Sequence, residues 1–116
     1  MHLTVSDILE FLESVAPSSL AEKNDPIGLQ VGSKKAPVYG ILLTVDLSLS
    51  ACKFAKEKNL NLILSHHPLF YHPLRSLTPD GYPGTVAYFA VKEELNLISW
   101  HTPLDKVSWG VSSALA

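Results

Sequence analysis

From Val5 the apolar residues Ile8, Leu9, Phe11, Leu12 and Val15 recur at the spacing of one helix face. Thr4, followed three residues later by Asp7, makes a capping-box start, and Ala16-Pro17-Ser18-Ser19 ends the pattern. Residues 22–37 lose that periodicity and read as a loop or extended segment around Asn24-Asp25-Pro26 and Gly28-Leu29-Gln30-Val31-Gly32. Residues 38–45 read as a strand with Asp46 at its end. Ser48 or Ser50 can cap a second helix running through Glu57, with Leu49, Phe54 and Ala55 as inward candidates and Asn59 as its stop. The run from 60 to 65 reads as a short buried strand, apolar at Leu60, Leu62, Ile63 and Leu64 and bounded by polar breakers. A loop from Pro68 to Gly84 holds four prolines, a length more often functional than idle. A helix over 85–95, a strand over 96–100, a corner from His101 to Asp105 and a further helix from Val107 complete the pattern.

Read in order, these elements run α-β-α-β-α-β-α. Such alternation implies βαβ units, so the expectation is one α/β domain over residues 1–116, a mostly parallel sheet with helices on both faces. The consequence for function is positional. Asp46, His66, His67 and His101 each fall at the carboxyl end of an expected strand, and open parallel sheets bind ligands in the crevice beyond those ends.

Composition narrows the function classes. A net charge of −2 gives no electrostatic footprint for nucleic acid or for an anionic membrane. No apolar run approaches the roughly 18 residues of a membrane span, and no signal-peptide pattern precedes the first helix, so a cytoplasmic location is the expectation. Cys52 is the single cysteine, which excludes an intrachain disulfide; within the second helix it reads as a small buried hydrophobe.

The chemistry concentrates in Ser65-His66-His67-Pro68 and His101-Thr102-Pro103-Leu104-Asp105. Imidazole nitrogens and a carboxylate gathered at strand ends are the ligand types of a transition-metal site. Successive strand residues point to opposite faces, so His66 and His67 can converge only once the chain leaves the sheet. One histidine per ion in a two-metal site is an alternative, and a hydrogen-bonded pair of loop histidines is the plain one. Asp105 could ligate or cap the next helix, and His101 could be a ligand, a general base or a hydrogen-bond donor behind the ligands. Asp46 could hold water bound to a metal or cap the second helix. Gly28 and Gly32 lack the lysine and glycine density of a phosphate loop and suit a tight turn with close backbone approach. Tyr71, Trp100 and Trp109 could stack on a planar base or pack in a core. His72, in the proline-rich loop, reads as exposed.

Together these segments resemble the GTP cyclohydrolase 1 type 2 family, also called the Ngg-one-interacting-factor-three-like proteins. The motifs that carry the resemblance are Gly28-Leu29-Gln30-Val31-Gly32, Thr44-Val45-Asp46, Ser65-His66-His67-Pro68-Leu69-Phe70 and His101-Thr102-Pro103-Leu104-Asp105 running into Gly110-Val111. The resemblance implies a dinuclear centre of divalent ions (zinc, manganese or iron), with His66, His67 and Asp105 as metal ligands and His101 as a catalytic neighbour. It also implies a ring-shaped homohexamer and a metal-dependent hydrolase acting on a nucleotide-like small molecule. The alternative is a non-catalytic metal-binding assembly or regulatory protein. The family's remaining ligands, a histidine and a glutamate, belong to a second half, so this chain is similar to the amino-terminal portion of a longer protein. It departs from the family pattern at Asn24-Asp25-Pro26, where an aromatic-Asp-Asn run is usual, and at Ser112-Ser113, where Asn-Asp is usual.

Overall fold

The computed structural model describes residues 3–17 and 27–100. The expected corner at His101–Asp105, the helix from Val107, and Trp109 lie outside the described residues. Within them the order is α1 (Val5–Val15), β1 (Gly28–Val31), β2 (Ile41–Thr44), α2 (Leu49–Glu57), β3 (Leu62–Ser65), α3 (Gly84–Lys92) and β4 (Asn96–Ser99).

Local signals set most of the element ends. At the start of α1 the Asp7 amide donates to Thr4 Oγ1 at 3.2 Å while the Thr4 amide donates to Asp7 Oδ2 at 2.8 Å, the reciprocal capping box. Ser48 caps α2 by accepting from the Ala51 amide at 3.1 Å. Asn59 ends that helix in the left-handed region at φ 59°, and the Leu60 amide closes back on the Ala55 carbonyl at 2.8 Å. Glu94 takes the same conformation at φ 58°, so α3 stops at Lys92 rather than running on to 95.

The four strands pair in the order β1-β4-β3-β2. β2 with β3 and β3 with β4 are parallel; β1 with β4 is antiparallel. The sheet is thus mostly parallel, as the alternation implies, but β1 adds a strand in the segment read as loop or extended. Four residues without alternating polarity carry no strand period. Pairing with β4 decides the matter, aligning Gly28 with Ser99 and Leu29 with Ile98.

Helices cover both faces. One face carries the row Leu42, Ile63, Leu97 and Val31, one residue from each strand, and packs against Cys52 and Ala55 of α2 and Val86, Ala87 and Ala90 of α3. The other carries Leu64, Ile98 and Leu29 and packs against Val5, Ile8 and Leu12 of α1. Leu29 and Val31 would share a face in a regular strand; the register shift between them sends Val31 to the opposite one. Each buried aliphatic side chain of this size contributes about 1.5–3 kcal/mol.

Two inward candidates face outward instead. Phe11 is exposed because the buried stripe of α1 is set by positions 5, 8 and 12, and a residue at 100° per step places position 11 well to its side. Phe54 is likewise exposed, with the Lys58 ammonium 5.8 Å from its ring centre. Cys52 takes the inward position, fully buried. The strand expected over 38–45 shortens to Ile41–Thr44, since Pro37 bridges Thr4 and the Val38 amide donates to the Leu3 carbonyl at 2.7 Å instead of joining the ladder. Among the described residues no helix is long and apolar enough to cross a membrane.

Candidate functional site at the carboxyl edge of the sheet

The parallel pairings bring Thr44, Ser65 and Ser99 into one row, so β2, β3 and β4 end level with one another. The segments leaving these three strands therefore emerge at the same edge. Beyond β3 the chain bends at His66 and His67, and both backbones are pinned there. The His66 amide donates to the Thr44 carbonyl at 3.1 Å and the His67 amide to the Val45 carbonyl at 2.9 Å. Ser65 Oγ donates to the His67 carbonyl at 2.7 Å, and Ser99 Oγ to the His66 carbonyl at 3.3 Å. Pro68 and Leu69, both fully buried, anchor the segment just after the bend.

These restraints bring the two imidazoles together, as departure from the sheet permits. Both histidines are half-buried, their ring centres 4.8 Å apart and their planes at 62°. Asp46, two residues beyond β2, faces the pair: its Oδ1 lies 2.6 Å from His67 Nδ1. Asp46 does not cap α2, since Ser48 does, and it meets a histidine side chain instead. Nothing local in the sequence reveals that meeting, because the residues stand 21 positions apart.

Next to Asp46 is an open cleft of about 450 Å³ lined by Leu47, Ser48, Leu49, Tyr82, Thr85 and Val86. The Tyr82 phenol is pushed above its ordinary range by desolvation first, then by the negative charges of Asp46 and Tyr71. Tyr82 has no sequence signal, lying in the long loop just ahead of α3. Trp100 is not a stacking platform: it is buried against α1, its indole N–H donating to the Ala16 carbonyl at 2.6 Å. His72 is exposed. Gln30 reaches from β1 to accept the Phe70 amide at 3.2 Å, tying the loop after the histidines to the sheet.

Of the expected site residues, His66 and His67 are brought together, while His101 and Asp105 lie outside the described residues. Among the described residues no group of three or more His, Cys, Asp or Glu side chains is assembled to hold an ion. The donors present still suit one: two adjacent imidazoles match the nitrogen preference of zinc and iron, and the carboxylate against one of them is an oxygen donor of the kind manganese takes.

A mixed four-stranded α/β sheet with a histidine pair at its parallel carboxyl edge defines the class. The chain belongs to the Duf34/NIF3 (NGG1p interacting factor 3) family, whose model matches residues 3–116. It is 36% identical over 114 residues to a GTP cyclohydrolase 1 type 2 homolog of Staphylococcus aureus, covering 98% of this chain and 31% of that protein. It is 35% identical over 115 residues to the protein of the same name from Clostridium acetobutylicum, covering 99% of this chain and 43% of the relative. A crystal structure of a Staphylococcus aureus hypothetical protein superposes with a TM-score of 0.94 at 35% identity, over 100% of this chain and 38% of the other. The chain thus spans less than half the length of these relatives.

Proposed function

We propose that this chain supplies part of a dinuclear metal centre in a metal-dependent hydrolase that acts in the cytoplasm on a nucleotide-like small molecule. The observation that supports this most directly is the convergence of His66 and His67 where the parallel strands end, with Asp46 against His67. In this reading His66, His67 and Asp105 hold two divalent ions, zinc, manganese or iron, and assembly into a homohexamer accords with the family resemblance. Bound ions of this kind lower the pKa of water towards neutrality and stabilise a developing oxyanion. The chain's own residues do the rest. The strand-end hydrogen bonds hold the two imidazoles in place without reorganisation, and His101 carries the proton, histidine being the side chain that titrates nearest neutral pH. The cleft beside Asp46, with Tyr82 on its wall, offers room for a planar ring.

Metal content per chain tests the proposal, measured by elemental analysis after purification without chelator or histidine tag. About two equivalents are expected for a two-ion centre, with loss in H66A, H67A and D105A. A chain that takes up no zinc, manganese or iron, and whose melting temperature none of them raises, refutes ion binding by His66, His67 and Asp105 alone, because an ion bound only by the folded state must stabilise it. Uptake without turnover across a panel of nucleotides would instead assign the chain a binding or regulatory role.

A further inference from the structure

We infer that the cleft beside the histidine pair is a subsite for a planar heteroaromatic ring, stacked by Tyr82 and held with little selectivity between bases. The inference rests on reading this edge as the site that acts on a nucleotide-like molecule, and adds where the ring sits and how it is recognised. At about 450 Å³ the cleft falls within the roughly 300–1,000 Å³ of small-molecule pockets. Asp46 lines it and also meets His67 at 2.6 Å, so a ring seated there lies next to the histidines.

The walls of the cleft favour stacking over hydrogen bonding. Leu47, Leu49 and Val86 supply an apolar lining, and Leu47 and Val86 are core residues fixed by the packing around them. Both hydroxyls in the wall are already engaged. Ser48 Oγ accepts the Ala51 amide at 3.1 Å and bonds Ser50 Oγ at 3.1 Å. Thr85 Oγ1 spends its hydrogen on the Pro79 carbonyl at 2.9 Å. A site that discriminates between bases needs free donors and acceptors aimed at their edges, and these hydroxyls are poorly placed to serve. Tyr82 is the aromatic residue of the wall and is 63% exposed, whereas Trp100 is buried in the core. Tyr71 is exposed as well, and stands close enough for its charge to act on the Tyr82 phenol, so a second open ring lies beside the cleft. Exposed aromatic faces hold bases with little regard to identity, because every base offers a π face.

The test titrates the full chain with adenosine, guanosine, cytidine and uridine, which carry no phosphate, and reads affinity by saturation-transfer difference NMR. The four should bind with affinities within about tenfold of one another. Y82A should weaken all of them roughly 5- to 150-fold, the range that stacking on one aromatic face supplies. Y82F keeps the ring face and should bind as the unmodified chain does. Because Tyr82 lies at the surface, both variants should keep native circular dichroism, and zinc uptake should not change. Undiminished binding in Y82A, a loss in Y82F equal to that in Y82A, or a preference beyond about tenfold for one base overturns the inference. A chain that takes up zinc but binds no nucleoside also overturns it, and leaves the metal centre standing. Nucleoside binding that depends on Tyr82 in a chain that takes up no metal sustains the subsite, and counts against ion binding by His66, His67 and Asp105 alone.

Discussion

A Cβ added to Gly32 would fall well inside van der Waals contact of Asn96 Oδ1, and that same oxygen accepts the Ser33 amide at 3.0 Å. The closeness is built in. Asn96 is a buried amide in the central strand β4, and its Nδ2 donates to the Asn61 carbonyl at 3.1 Å, so it links β1, β4 and the approach to β3. Gly32 also sits at φ +122°, where a side chain is strained. G32A is therefore expected to lose about 2–3 kcal/mol, measured by urea denaturation. N96A should cost about 1–3 kcal/mol by removing both hydrogen bonds of the buried amide, to the Ser33 amide and the Asn61 carbonyl. The double variant should lose less than the sum, since removing the amide clears the methyl's space.

Trp100 closes the opposite end of the same strand on α1. Its indole N–H is buried and its acceptor, the Ala16 carbonyl, belongs to the end of a helix where backbone carbonyls lack helical partners. W100F keeps much of the apolar bulk while removing the donor and part of the buried ring system. The expected loss is about 1–3 kcal/mol, seen as a lower urea midpoint with an unchanged slope.

Cys52 carries the pH dependence most directly tied to the core. Burial pushes its thiol up to about 11 from an ordinary 9.0. Between those values the unfolded chain gives up the proton and the folded chain retains it, so the folded state binds more protons and stability falls as pH rises. Well below the ordinary value the effect vanishes, both states being neutral. The unmodified chain should thus lose more stability than C52A across the window from 9.0 to about 11, in paired urea titrations. At neutral pH the thiol should resist iodoacetamide in the native state and react once unfolded.

The elements most legible in the sequence are those whose signals are local. Thr4 and Asp7 announce the start of α1, Asn59 the end of α2, and the apolar cores Leu62-Ile63-Leu64 and Leu97-Ile98 announce β3 and β4, because caps and short apolar runs are local signals. Phe11, Phe54 and β1 were not legible in that way. Apolar character alone does not say which side of a helix meets the sheet, and a four-residue strand is defined by the partner it pairs with.

The candidate site divides along the same line. Residue types and strand ends already singled out His66 and His67, since a polar pair just past a buried strand must emerge at the sheet's carboxyl edge. Whether adjacent histidines converge depends on the bend held by the Thr44, Val45 and Ser99 contacts, and those contacts exist only in the folded chain. Folding likewise assigns Asp46 to His67, over the cap its position allowed, because the contact spans two strands brought level by parallel register. Short-range periodicity and composition were enough for the α/β class, the helix caps and the location of the chemistry, since each of these is settled within a few residues. Pairing order, the β1 strand and the partner of each site residue depend on contacts between residues far apart in the chain, so only the tertiary arrangement could decide them.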